Sequence, residues 1–382
     1  MRIALKRNNI ACIFWFMSIA AYMFQCYWRK LAIFIVPSLI IFLILEIPNI
    51  KFLKVNGWIL IYGIYGFYLI FSTIVSSILR NPIGSILRFF LILVAIPIAG
   101  LVNEDEFGKE WMILKILALI KAGTILYTWC IVFISQDYVL YRAWAREIGA
   151  GDIYIINGIP RVQLLGTSLF VIIFVCDFIK RKKITWYNTL MLLAALAAGN
   201  SAYVLGIVIF FTFYFLPCIA IWIQKRNWRL MFFIPIAVLL LIGFSIYSVK
   251  ALKLKAENSN PVRFEQVEVL TNTNPAFGNG LGHAVIGGGK YRTYDGDTYF
   301  ELQTLYIYNQ IGLIGIALFY LLTCSIYWGK RKYLKEITYI TYLLYTFWNP
   351  YCFDSTHIFA MLLISNGIRN NGYNFEMRKN NE

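Results

Sequence analysis

The chain has 382 residues, of which 60% are hydrophobic, 18% aromatic and only 14% charged. Soluble domains are about 45–50% apolar and about 25% charged, so this composition, with a mean hydropathy of +0.66, excludes one large soluble domain. The formal charge of +16 and the pI near 9.4 would suit a nucleic-acid binder. The basic residues, however, fall in short clusters between apolar runs of roughly 20 residues, the length that crosses a bilayer core, and no nucleic-acid partner is expected.

In chain order the apolar runs are 10–27, 31–47, 56–79, 83–102, 112–135, 164–179, 184–200, 201–223, 230–249, 301–327, 337–353 and 355–366. They predict an all-α polytopic membrane protein of about twelve transmembrane helices, a single integral membrane domain over 1–382. Helices are required because lipid satisfies no backbone polar group. The first run reads as an anchor, without the small-residue pattern of a cleaved signal peptide. Only Gly199, Asn200 and Ser201 mark the break between the seventh and eighth runs, which suits a tight hairpin or a broken helix. The last two runs are short.

Orientation follows from the basic clusters, which resist translocation. Arg2/Lys6/Arg7, Lys51/Lys54, Lys180 to Lys183, Lys225/Arg226/Arg229, Lys330 to Lys332 with Lys335, and Arg378/Lys379 in the 367–382 tail share one side if both termini are cytoplasmic. Inner segments then carry net +13, outer segments +2 and the spans +1. The acidic stretch Glu104, Asp105, Glu106 and Glu110 is the one inner exception, and acidic residues count little for topology. Arg88, Lys115 and Lys121 fall inside spans, where each either snorkels to an interface or faces an internal cavity. Glu46 and Asp177 lie at inner span ends and read as interfacial. The seven cysteines are scattered through apolar runs and read as small buried hydrophobes.

Two outer segments, 136–163 and 250–300, are far longer than the other connections, as functional loops are. The first carries Arg142, Arg146, Glu147, Asp152 and Arg161 among Tyr138, Tyr141, Trp144 and Tyr154. Guanidinium groups suit phosphate or pyrophosphate, and aromatic faces suit sugar rings; an amphipathic helix touching lipid headgroups is the alternative. The second carries Arg263, then NPAFGNGLGH from Asn274 to His283, then YRTYDGDTYFE from Tyr291 to Glu301. Gly278, Gly280 and Gly282 would let a ligand approach the backbone, or would form a tight connector. His283, Asp295, Asp297 and Glu301 are the titratable candidates beside them. His357, the other histidine, and Asp354 read as a satisfied polar pair in the bundle or a loop between short spans. No pair of His or carboxylates has a ligand spacing that points to a metal.

The whole-chain plan resembles the O-antigen polymerases (Wzy type), in the superfamily that also holds the O-antigen ligases. The resemblance rests on the many spans, two enlarged loops, an Arg before a span at Arg161, the N-P-x-x-G-x-G-x-G stretch from Asn274, and Gln310-Ile311-Gly312-Leu313-Ile314-Gly315. It implies a GT-C-like glycosyltransferase in the bacterial inner membrane, with both termini cytoplasmic and both large loops periplasmic. Such an enzyme moves a growing polysaccharide from undecaprenyl pyrophosphate onto the non-reducing end of a new lipid-linked repeat unit, in lipopolysaccharide biosynthesis. It uses neither nucleotide sugar nor metal, works in membrane lipid, and has a chain-length regulator as an optional partner.

The resemblance places Arg161 and Arg263 on the pyrophosphate, with Arg142 and Arg146 in support, and Gly278, Gly280 and Gly282 in the substrate-binding loop. Arg142 and Gly158 also match an Arg-to-Gly spacing of the family's periplasmic loops. Glu301 is the first candidate base; His283, Asp295 and Asp297 follow. Two features depart from the pattern: Ser201 is followed by Ala202 and Tyr203 where a basic residue is common, and Tyr299-Phe300-Glu301 stands where ligases carry His-Asn. The second departure favours polymerase over ligase. A flippase or transporter is the rival from another class, for which repeated halves and mid-membrane polar residues are expected.

Overall fold

The computed structural model describes residues 2–50, 56–102, 107–156, 158–224, 261–291, 293–297, 300–328, 332–347 and 349–368. The apolar run 230–249 and the basic clusters at 51–54, 225–229, 330–331 and 378–379 lie outside the described residues.

The described chain is mostly helical. Its helices are α1 (Arg2–Phe24), α2 (Ala32–Leu45), α3 (Asn56–Ile78), α4 (Ile83–Leu101), α5 (Gly108–Ser135), α6 (Val139–Glu147), α7 (Phe170–Arg181), α8 (Trp186–Ala197), α9 (Ser201–Gln224), α10 (261–271), α11 (Gln303–Tyr327), α12 (Tyr333–Thr346) and α13 (Ser355–Gly367). Two antiparallel hairpins are inserted, β1 (Gly151–Ile156) with β2 (Ile159–Leu164), and β3 (Val285–Gly288) with β4 (Thr293–Asp297). Among the described residues four helices are long and apolar enough to cross a membrane: Ile59–Ile78 within α3, α4, α5 and α11, of 20, 19, 28 and 25 residues. At 1.5 Å per residue each reaches the roughly 30 Å of a hydrocarbon core.

The side-chain distribution is that of a protein solvated by lipid. On α3, Ile59, Ile64, Phe67, Ile70, Ile74 and Ile78 form an exposed apolar stripe, Phe67 being 75% exposed. The same helix turns Tyr65, Tyr68, Ser72 and Ser76 inward, where the Tyr65 hydroxyl donates to Leu93 O at 3.2 Å and the Tyr68 hydroxyl to Ile311 O at 2.6 Å. In water this arrangement would expose the strongest hydrophobes and bury the hydroxyls.

The core is built around α7 and α13, which are buried on almost every face. Protein rather than lipid surrounds them, so they stay short at 12 and 13 residues. Their apolar runs are correspondingly shorter as helix than in the sequence. Leu165 to Leu169 ahead of α7 is irregular, and so is the segment from Asn349 to Asp354 ahead of α13. Non-helical backbone at this depth must find partners in the protein. The Tyr345 hydroxyl donates to Ser168 O at 2.9 Å, and Phe353 N donates to Gln303 Oε1 at 2.8 Å.

Contacts between helix ends fall into two sets. In one, Arg29 donates to Gly149 O, Arg161 to Gly199 O and Asn81 to Asn279 O, and Gly166 packs on Tyr22 and Met23. In the other, Ile50 bridges Val102, Trp15 donates to Glu110 O, Lys115 pairs with Asp177, and Lys335 donates to Ser365 O. The first set is the side that the basic clusters assign as outer, the second the inner.

Several polar residues are more deeply placed than the sequence suggests. Glu46 and Asp177, expected at an interface, are 1% and 0% exposed. Lys115 reaches Asp177 from α5, and Arg181 adds a second contact at 3.3 Å. Lys121, also of α5, is fully buried and donates to Cys26 Sγ at 2.6 Å, so it neither snorkels nor meets a carboxylate there. Arg88 is exposed. Asp354 and His357 do not pair through their side chains: Asp354 Oδ1 accepts from Thr356 N at 2.7 Å as the N-cap of α13, and His357 meets Cys352 O and the Tyr339 hydroxyl.

Candidate functional site

Among the described residues, each of the two long connecting segments contains a short helix followed by a hairpin. In the first, Arg142 and Arg146 stand one turn apart on α6 and both grip Asp152 of β1, with four guanidinium-to-carboxylate contacts between 3.0 and 3.3 Å. Burial raises the Asp152 pKa, and the hydrogen bonds from Arg146 and Arg142 more than offset it, leaving the carboxyl below its ordinary value. The two candidate phosphate contacts therefore also serve as a clamp that fixes α6 against the hairpin. Gly158 sits at the hairpin turn with φ +76° and no neighbour within 4 Å of a would-be Cβ.

Arg161 lies on β2, paired with Tyr154 across the ladder. Its guanidinium donates to Gly199 O at 3.0 Å. Gly199, at φ +64°, and Asn200, whose side chain accepts from Ala202 N at 3.1 Å, make the α8–α9 connection a tight hairpin. Arg161 thus ties the first loop to that hairpin.

In the second loop the Asn274 to Gly282 stretch inserts into a break in α11. Gly312 has φ 60° and ψ −174°, a backbone state outside the helix. Carbonyl and amide groups freed there are taken up by the loop: Gly280 N donates to Gln310 O at 2.8 Å, Asn279 N to Asn309 O at 2.8 Å, and Leu313 N to Pro275 O at 2.9 Å. The contact needs glycine on both sides. A Cβ on Gly278 would stand 2.4 Å from Gln310 O, and one on Gly312 would stand 2.2 Å from Ala276 O. Gly280 and Gly282 meet the backbone of Ser76 and Ile86 in the same way. The spaced glycines therefore approach the protein's own backbone, and the ligand-approach reading of Gly278, Gly280 and Gly282 gives way to that of a tight connector.

The titratable candidates of this segment are placed as follows. Arg263, on α10, points its Nη2 at Glu301 Oε2, 3.4 Å away, with side chains 35% and 58% exposed. Arg263 Nε and Gln266 Oε1, one turn along, are buried without a hydrogen-bond partner, and Gln266 is 1% exposed. Further along α10, Leu270 O accepts from Asn309 Nδ2 at 2.9 Å, and Asn309 Oδ1 lies 2.8 Å from His283 Nδ1. The Tyr306 hydroxyl donates to His283 O at 2.7 Å. Asp295 is exposed on β4, paired with Ile286; Asp297 pairs with Val285, and its side chain lies outside the described residues.

Arg263 pairs with Glu301, and His283 is held separately through Asn309, further along α10 and α11, while Arg142, Arg146 and Arg161 are held in the other loop. Asn309 and Gln266 were not singled out by sequence; for Asn309 the signal available was an amide inside an apolar helix, which needs a partner, and Gln266 gave none. No family model, no curated protein and no solved structure matches this chain.

Proposed function

We propose that this chain is an O-antigen polymerase of the bacterial inner membrane, a multi-pass glycosyltransferase of about twelve spans and GT-C-like architecture, with cytoplasmic termini and a periplasmic active site. Its substrates are oligosaccharide repeat units on undecaprenyl pyrophosphate. The observation that carries the reading is the pairing of a guanidinium on α10 with a carboxylate just ahead of α11, Arg263 with Glu301, on the same two helices that hold His283 through Asn309. Arg263 retains an unused buried donor at Nε, and its exposed contact with Glu301 is worth only about 0–1 kcal/mol, so it can be exchanged for a phosphate oxygen at little cost.

In the reaction the acceptor hydroxyl attacks the anomeric carbon of the lipid-linked chain as the bond to pyrophosphate breaks. Arg263 and Arg161 stabilise the charge developing on the departing group, and a neighbouring base takes the hydroxyl proton. The test uses purified protein given a lipid-linked repeat unit and nothing else. A ladder of two, three and more units supports polymerisation; no change points to a transporter, and a requirement for lipid A-core to a ligase. Arg263→Ala and Arg161→Ala should abolish the ladder and Arg→Lys retain part of it. Normal ladders from the double alanine variant at normal protein levels would remove the pyrophosphate assignment.

A further inference from the structure

We propose that Asn309 is a positioning residue that holds His283 as the tautomer protonated at Nδ1, leaving Nε2 as the atom that accepts the proton of the attacking hydroxyl. The inference rests on the glycosyl-transfer reading and names the base within that site.

The tautomer follows from donor and acceptor bookkeeping along one chain of atoms. Leu270 O can only accept, so the amide nitrogen of Asn309 must face it, at 2.9 Å. Asn309 Oδ1 then faces His283 Nδ1 at 2.8 Å and can itself only accept. The hydrogen therefore sits on Nδ1, and neutral His283 keeps its lone pair on Nε2. Asn309 is 1% exposed and Leu270 0%, so water does not compete for either position. The relay is built into the plug: Asn309 O also accepts from Asn279 N at 2.8 Å, Gly282 N donates to Gln310 Oε1 at 2.8 Å, and Tyr306 holds His283 O. His283 itself is only half-buried, so its ring is not sealed from a substrate. Glu301 takes no part in this relay; its contact is with Arg263.

In the step, the hydroxyl proton passes to Nε2 and the oxygen lone pair forms the new glycosidic bond. The electron pair of the broken bond leaves with undecaprenyl pyrophosphate, and the imidazolium returns its proton to water. An orienting group behind the base, fixing which nitrogen reacts, is the general logic of base activation.

The test uses the full-length protein in lipid nanodiscs, labelled with 15N-histidine. The chain has two histidines, and His283→Gln identifies which resonances belong to His283. In the wild type, neutral His283 should show a protonated Nδ1 and a bare Nε2. Asn309→Leu should release the ring to the Nε2-protonated form and lower the ladder kcat by roughly tenfold or more with little change in KM. Asn309→Asp keeps the acceptor toward Nδ1 but loses the donor to Leu270 O; it should keep the Nδ1 proton and more of the rate than Asn309→Leu, and melting temperatures of both variants separate positioning from a loss of fold. A wild-type ring protonated at Nε2, a tautomer unchanged in Asn309→Leu, or a changed tautomer with wild-type ladders would each overturn the inference. A wild type that makes no ladder would overturn the polymerase reading instead, while the spectra would still decide whether Asn309 sets the tautomer.

Discussion

At the scale of single residues, the same amino acid does different work according to what lies beside it. Gly278 and Gly296 both have positive φ, +72° and +80°, but only Gly278 has backbone within reach of a Cβ. Gly296→Ala should cost about 1–2 kcal/mol from the left-handed conformation alone. Gly278→Ala adds an overlap with Gln310 that no side-chain rotation relieves, so its loss should be clearly larger, as should that of Gly312→Ala. Thermal unfolding in one detergent, with the three variants side by side, measures the difference; equal losses would show that the plug tolerates a Cβ. The glycine spacing was plain in the sequence, yet its purpose was not, since a loop that cradles an anion and a loop that cradles a helix break need the same residues.

At the scale of elements, ion pairs decide how the short pieces are held. Asp177, buried in α7, meets Lys115 of α5 and Arg181 of its own helix. Asp177→Leu should cost about 3–5 kcal/mol because it strands Lys115, whereas combining it with Lys115→Met should recover much of that loss. A double-mutant cycle of melting temperatures reads the coupling, and additive losses would count against it. The α6 clamp on Asp152 behaves differently because it is half-exposed. Its folded pKa lies below the ordinary value, so its stabilisation is complete at neutral pH and is lost as pH falls through the folded pKa, below about pH 4. Amide protection factors in α6, corrected for the intrinsic rate at each pH, should therefore fall on acidification in the wild type, and Asp152→Asn should show the lower protection already at pH 7. An α6 equally protected in both proteins at every pH would mean that other contacts hold it.

At the scale of the whole molecule, the arrangement of helix ends gives a sidedness that labelling can check. With the native cysteines replaced, Pro82→Cys and Gly158→Cys should react with an impermeant maleimide from one face of the membrane, and Lys182→Cys only from the other. Reaction of all three from one face would break the alternation. Much of this was legible beforehand. Apolar run lengths located the long apolar helices among the described residues, while α6, α10 and the two hairpins, set in the long polar segments, had no such signal, because hydropathy belongs to each segment by itself.

What the sequence determined alone was therefore a helical protein with helices able to cross a membrane, and the positions of those helices. Tertiary structure decided which groups meet. It set Asn309 behind His283, 26 residues away, Asn81 beside Asn279, 198 residues away, and Glu301 against Arg263. It also shortened α7 and α13, since a helix wrapped in protein need not match the thickness of the lipid. These are properties of pairs of segments brought together by packing, and no local pattern of polarity records which pair will touch.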